Sequence, residues 1–114
     1  MPHFIIDCSK SILESQKQEY ILEQVFLVAN STGLFKENDI KVRLNTFSTY
    51  SVGNKKDDFM HVFAHIIEGR SIEQKSDLSK QIVSKLTELF PKVPNIAMNI
   101  SDFEKATYYN RSML

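Results

Sequence analysis

The sequence is short of several things, and each shortage excludes something. It has one cysteine, Cys8, so no internal disulfide can form, and the chain fits a reducing, cytoplasmic setting. It has no excess of either charge: 14 basic side chains meet 14 acidic ones. No polyanion partner is implied, and nucleic acid is disfavoured. No apolar run approaches the length of a membrane span. The amino terminus lacks the basic region and long apolar segment of a secretory leader. What is present is ordinary for a single soluble globular domain over residues 1–114, with 42% hydrophobic and 25% charged residues. That length supports one core without disulfides or metals.

The chain reads as strands and helices in alternation. Pro2 to Cys8 is rich in β-branched and aromatic residues, with Pro2 at the first position, where no ladder N–H is lost. Ser11 and Glu14 have the spacing of a capping box opening a first helix. Ile21, Val25, Val28 and Ala29 follow at helical spacing, and Gly33 is a suitable stop. Ile40 to Tyr50 alternates, with Ile40, Val42 and Leu44 on one side and Lys41, Arg43 and Asn45 on the other. The stretch from 51 to 58 is polar and contains Gly53-Asn54, a loop signal. Phe59 to Ile67 is apolar on both faces apart from its histidines, which predicts a well-buried strand. Ser71 and Gln74 match a second capping box, Leu78, Ile82, Leu86 and Leu89 form a stripe, and Pro91 and Pro94 end that helix. Asn95 to Phe103 is a fourth strand, followed by a tail without clear period.

The order β-α-β, loop, β-α-β predicts an α+β fold: parallel strand pairs joined by right-handed crossovers, in a four-stranded mixed sheet with both helices on one face. Pieces of the two halves align, such as Pro2-His3-Phe4-Ile5 with Met60-His61-Val62-Phe63 and Ser11 to Glu14 with Ser71 to Gln74. A duplicated unit over about 2–50 and 59–103, with a tail over 104–114, accounts for this. The uncovered sheet face, expected to carry Phe4, Phe47 and Phe59 or their alternates, implies a partner, most simply another copy of the chain.

The start Met1-Pro2 has chemical potential of its own. Removal of Met1, which a small residue at position 2 favours, leaves a secondary amine in a rigid ring. An apolar wall and neighbouring cations disfavour its protonated form, which makes it a candidate general base. Lys41, Arg43 and Arg70 are candidate cations; Phe4, Phe47 and Tyr50 are candidate wall. Lys41 and Arg43 lie two apart on a strand, about 6.6–6.8 Å along one face, a spacing that could bracket a carboxylate. Arg70 precedes a helix start, where the helix dipole offers it nothing. His61 and His65 are four apart, but on a strand that separates them by about 13 Å, so they read as core or interface histidines rather than metal ligands. His3 should point away from Pro2, and Cys8 reads as a small buried hydrophobe.

The stretches Pro2 to Ser9, Ser31-Thr32-Gly33-Leu34-Phe35 and Ile40-Lys41-Val42-Arg43 resemble the 5-carboxymethyl-2-hydroxymuconate Δ-isomerases of the tautomerase superfamily. Glu68-Gly69-Arg70-Ser71 and the residues after it resemble the helix opening of the shorter 4-oxalocrotonate tautomerases. The resemblance covers nearly all of the chain except the tail. It implies a homotrimeric isomerase of aromatic catabolism that moves a proton along an unsaturated keto or hydroxymuconate dicarboxylic acid without metal or organic cofactor. Pro2 would be the base, and Arg70, Arg43 and Lys41 would bind the substrate's carboxylates. Lys41 stands where that family usually has an arginine; it keeps the charge but loses the two-pronged grip. Two other readings stand beside this one: a proline-dependent hydration of an unsaturated acid, and an inactive oligomeric binding protein of the same fold. Were Met1 retained, the Pro2 nitrogen would be a tertiary amide without useful basicity.

Overall fold

The computed structural model describes all 114 residues. Four strands form one mixed sheet in the order β2-β1-β3-β4: β1 His3–Ser9, β2 Lys41–Phe47, β3 Phe59–Ile67 and β4 Asn95–Phe103. β1 runs parallel to β2, β3 runs parallel to β4, and β1 and β3 meet antiparallel. Helix α1, Gln18–Ser31, connects the first pair and helix α2, Ile72–Leu89, the second.

Alternation along the strands decides which side chains meet the helices. Phe4, Ile6 and Cys8 of β1 and Met60, Val62 and Ala64 of β3 are buried and pack with Ile21, Val25 and Ala29 of α1 and Leu78, Ile82 and Leu86 of α2. Val42, Leu44, Ile96, Met98 and Ile100 from the outer strands pack on this core. Both helices therefore cover one face, as the sequence predicts.

Four local expectations are corrected. Ser11 and Glu14 do not cap a helix: Lys10–Glu14 is a 3-10 turn without a side-chain cap, and α1 begins only after Lys17. The Ser11 hydroxyl is instead drawn to the Asp58 carboxylate, which also accepts from the Ser9 hydroxyl at 3.0 Å. The match of this stretch to Ser71–Gln74 therefore fails locally. The second correction concerns Phe4, which is fully buried in the core and not on the open face; the parity of β1 puts His3, Ile5 and Asp7 there. The third is that β3 is buried on one face only. Its odd positions look away from the helices, and Phe63 is 36% exposed. β2 also stops at Phe47, short of Tyr50.

The capping box on α2 is formed in full. The Gln74 N–H donates to the Ser71 hydroxyl, and the Ser71 N–H donates to the Gln74 side chain. Between β2 and β3 the chain reverses at Gly53 and Asn54, both at positive φ, with Val52 and Lys55 exchanging two backbone bonds of 2.8 and 3.0 Å. That conformation suits the Gly-Asn pair. The tail is tied at its start: the Glu68 side chain accepts from the Lys105 N–H at 2.7 Å.

Candidate active site

The amino end of β1 lies where three other segments converge. Strand register places His3 opposite Lys41, and the Lys41 N–H donates to the Pro2 carbonyl at 3.1 Å. α1 ends at Ser31, and Gly33, at φ +72°, turns the chain past Leu34 and Phe35 toward β2. Arg70, just ahead of α2, reaches this turn: its guanidinium donates to the Leu34 carbonyl and lies 5.0 Å from the centre of the Phe35 ring. Phe35 in turn meets Phe4 edge-on at 6.0 Å. A contiguous series from core to cation results, Phe4, Phe35, Arg70, and it fixes the guanidinium beside the amino terminus.

These segments enclose a cavity of about 380 Å³ lined by Met1, Pro2, Gly33, Leu34, Phe35, Lys36, Asp39 and Arg70. The Pro2 ring is fully buried, whereas Met1 is partly exposed. The Lys41 ammonium lies 3.4 Å from the Met1 sulfur and donates to the Asp39 carbonyl at 2.9 Å. Burial pulls the Met1 α-ammonium below its ordinary range; the Asp39 carboxylate opposes this, and the Arg70 and Lys41 charges add to it. A desolvating wall and nearby cations thus disfavour a protonated amine at Met1, and Pro2 lines the same cavity.

The candidate residues divide. Pro2 and Arg70 share the cavity, and Lys41 stands beside it. Arg43 does not join them, because its guanidinium lies 3.1 Å from the His3 ring nitrogen on the open sheet face. His3 is held below the ordinary histidine range, first by burial and then by Arg43 and Lys41. Of the three candidate wall residues only Phe4 reaches this end, and it does so through Phe35. Phe47 pairs in register with Ser9, six residues or about 20 Å from the His3 end. Phe47 and Tyr50 belong instead to a hollow of about 450 Å³ with Lys10, Glu14 and Lys56. A third hollow, of about 470 Å³, runs from Tyr50 to Ala97. Both are larger than the amino-terminal cavity, but neither contains the amino terminus or an arginine.

Lys36 and Asp39 are cavity residues that the sequence reading passes over. Lys36 precedes and Asp39 ends the 3-10 turn Glu37–Asp39, in a stretch that reads as a polar connection, and their one signal is alternating charge just before β2. The histidines of β3 are not core residues. His61 is hydrogen-bonded to the Asn99 side chain at 2.6 Å and stacked on Phe63 at 4.3 Å, and His65 is exposed. Nowhere do three or more His, Cys, Asp or Glu side chains gather in a metal-binding arrangement. No helix is long and apolar enough to cross a membrane.

Comparison with known proteins bears on this geometry. The family model for 5-carboxymethyl-2-hydroxymuconate isomerase matches residues 2–113. The 5-carboxymethyl-2-hydroxymuconate Delta-isomerase of Escherichia coli is 24% identical over 106 residues, which span 91% of this chain and 84% of that protein. The crystal structure of a 5-carboxymethyl-2-hydroxymuconate isomerase from Deinococcus radiodurans R1 superposes with a TM-score of 0.83 at 22% identity, over 96% of this chain and 88% of that one. A fused 4-OT described as a wild-type symmetric trimer superposes with a TM-score of 0.76 at 15% identity, over 96% of this chain and 94% of that one.

Proposed function

The chain belongs to the 5-carboxymethyl-2-hydroxymuconate isomerase family and is a tautomerase-type isomerase, and from that premise we propose that its base is the amine of Pro2, freed by removal of Met1. The substrate is an unsaturated keto or hydroxymuconate dicarboxylic acid. Pro2 takes a proton from one carbon, the electron pair spreads into the conjugated carbonyl, and the proton returns at a carbon two bonds along. Arg70 and Lys41 bind a carboxylate and stabilise the developing dienolate. No metal or organic cofactor is needed for these steps.

The observation that carries this reading is the convergence on one cavity of a buried Pro2 ring and the Arg70 guanidinium, with the Lys41 ammonium alongside. Arg43 has a weaker claim within one chain, since it is bonded to His3. The assembly we propose is a homotrimer, supported by the shared fold of the trimeric 4-OT and by the uncovered sheet face.

Intact mass of the purified protein should show loss of one methionine. Replacing Pro2→Ala in that processed protein should then lower kcat/KM for ketonisation of a 2-hydroxymuconate by roughly 10²- to 10⁴-fold, the contribution of a placed general base. Unchanged kcat/KM would remove Pro2 from the mechanism.

A further inference from the structure

Asp39 is the one carboxylate lining the amino-terminal cavity. Its position is well fixed. The Asp39 N–H donates to the Lys36 carbonyl at 2.9 Å, and the next bonds, Ile40 N–H to the Glu37 carbonyl and Lys41 N–H to the Pro2 carbonyl, tie the turn to the start of β1. The Lys41 ammonium bonds the Asp39 backbone carbonyl, which leaves the Asp39 carboxylate outside that contact. The ion pair in this protein is elsewhere, between Lys75 and Asp102. Asp39 is thus a half-buried carboxylate that faces a cavity of cations with no ion pair of its own.

Proton transfer gives such a group something to do. When the amine takes a proton, the C–H electron pair moves into the substrate and a new N–H bond forms. The site then holds an ammonium and a dienolate at once. Arg70 and Lys41 favour the dienolate but repel the ammonium, so cations alone would drive the proton off before it reached the second carbon. We propose that Asp39 is the counter-ion of the amino-terminal ammonium, a positioning residue that retains the proton on Pro2 between its removal from one carbon and its return to another. Asp39 stays ionised throughout and exchanges no proton. This rests on the reading of Pro2 as the base.

The electrostatics at the terminus agree. Asp39 raises the basicity of the Met1 α-amino group, one residue ahead of Pro2 in the same cavity, while burial, Arg70 and Lys41 lower it. The other charged or titratable groups near the terminus are Lys36 on the cavity wall and His3 on the sheet side, which itself feels the amino-terminal charge. All of these except Asp39 are cationic or neutral. Opposite charges lining one partly desolvated cavity attract more strongly than in bulk water.

The test uses full-length, Met1-processed protein in its native assembly. The amino-terminal proline is titrated by heteronuclear NMR, and the pH profile of kcat/KM is recorded, for wild type, Asp39→Asn and Asp39→Glu. Asp39→Asn should lower the titration midpoint of the amine and shift the acid limb of kcat/KM to lower pH by the same amount. It should also lower kcat on the plateau more than it changes KM. Asp39→Glu should return both quantities toward wild type. An unmoved midpoint in Asp39→Asn would overturn the assignment. A moved midpoint with an unmoved acid limb would place the failure in the Pro2 reading and would equally remove Asp39 from proton return. If Asp39→Asn does not fold, Asp39→Ser is read by the same criteria.

Discussion

Cys8 has no exposed surface in the core of the sheet. Burial, with the Asp7 charge behind it, pushes its thiol up to about 11 from an ordinary 9.0. Only the thiolate reacts with alkylating reagents, so native protein at about pH 8 should resist maleimide, and denatured protein should take up one equivalent, as intact mass will show. The sign for stability follows. The fold favours the neutral thiol, so its contribution is full below pH 9 and is lost as pH rises from there toward about 11. Residue by residue, the candidate site was readable where chemistry and chain position coincide. Pro2 can offer an amine only by standing second, and Arg70 stands out as a cation ahead of a helix. Lys36 and Asp39 carried no such mark, since their approach to Pro2 depends on how the chain leaves Gly33 and enters β2. Arg43 stands apart from the cavity because strand parity gives a face but not a partner: it lies opposite Ile5, and its guanidinium reaches diagonally to His3.

The two helices show what local pattern can and cannot fix. Ser71 and Gln74 form the capping box their spacing predicts, because nothing distant competes for the serine. Ser71→Ala should cost about 1 kcal/mol, seen as a lower urea midpoint with unchanged slope. Ser11 and Glu14 have equivalent spacing, yet Asp58, 47 residues on in sequence, holds the Ser11 hydroxyl. A contact of that range leaves no trace in a window of four residues. β3 and β4 were legible to their end residues because turns bound them sharply: Gly53-Asn54 and Gly69 on either side of β3, Pro94 ahead of β4. The end of β2 was less so, since its alternating pattern runs on past Phe47.

For the molecule as a whole, the sheet face away from the helices presents His3, Arg43, Phe47, His61, Phe63 and His65 together. Phe47 and Phe63 are 38% and 36% exposed there. Covering that face with further copies of the chain would remove apolar surface from water. Phe63→Arg places a charge in the middle of β3 on this face without touching the core. It should shift the native mass measured by light scattering from that of the proposed trimer to that of a monomer, while circular dichroism stays that of the wild type. The strand order carries one more consequence. The amino-terminal and carboxy-terminal halves meet along a single antiparallel ladder, β1 on β3, backed by α1 against α2, and the covalent tie between them is the segment 48–58, which reverses at Val52 to Lys55. The chain is a natural candidate for splitting: two separately synthesised peptides, cut at Gly53, should find one another in solution and restore turnover that neither fragment has alone.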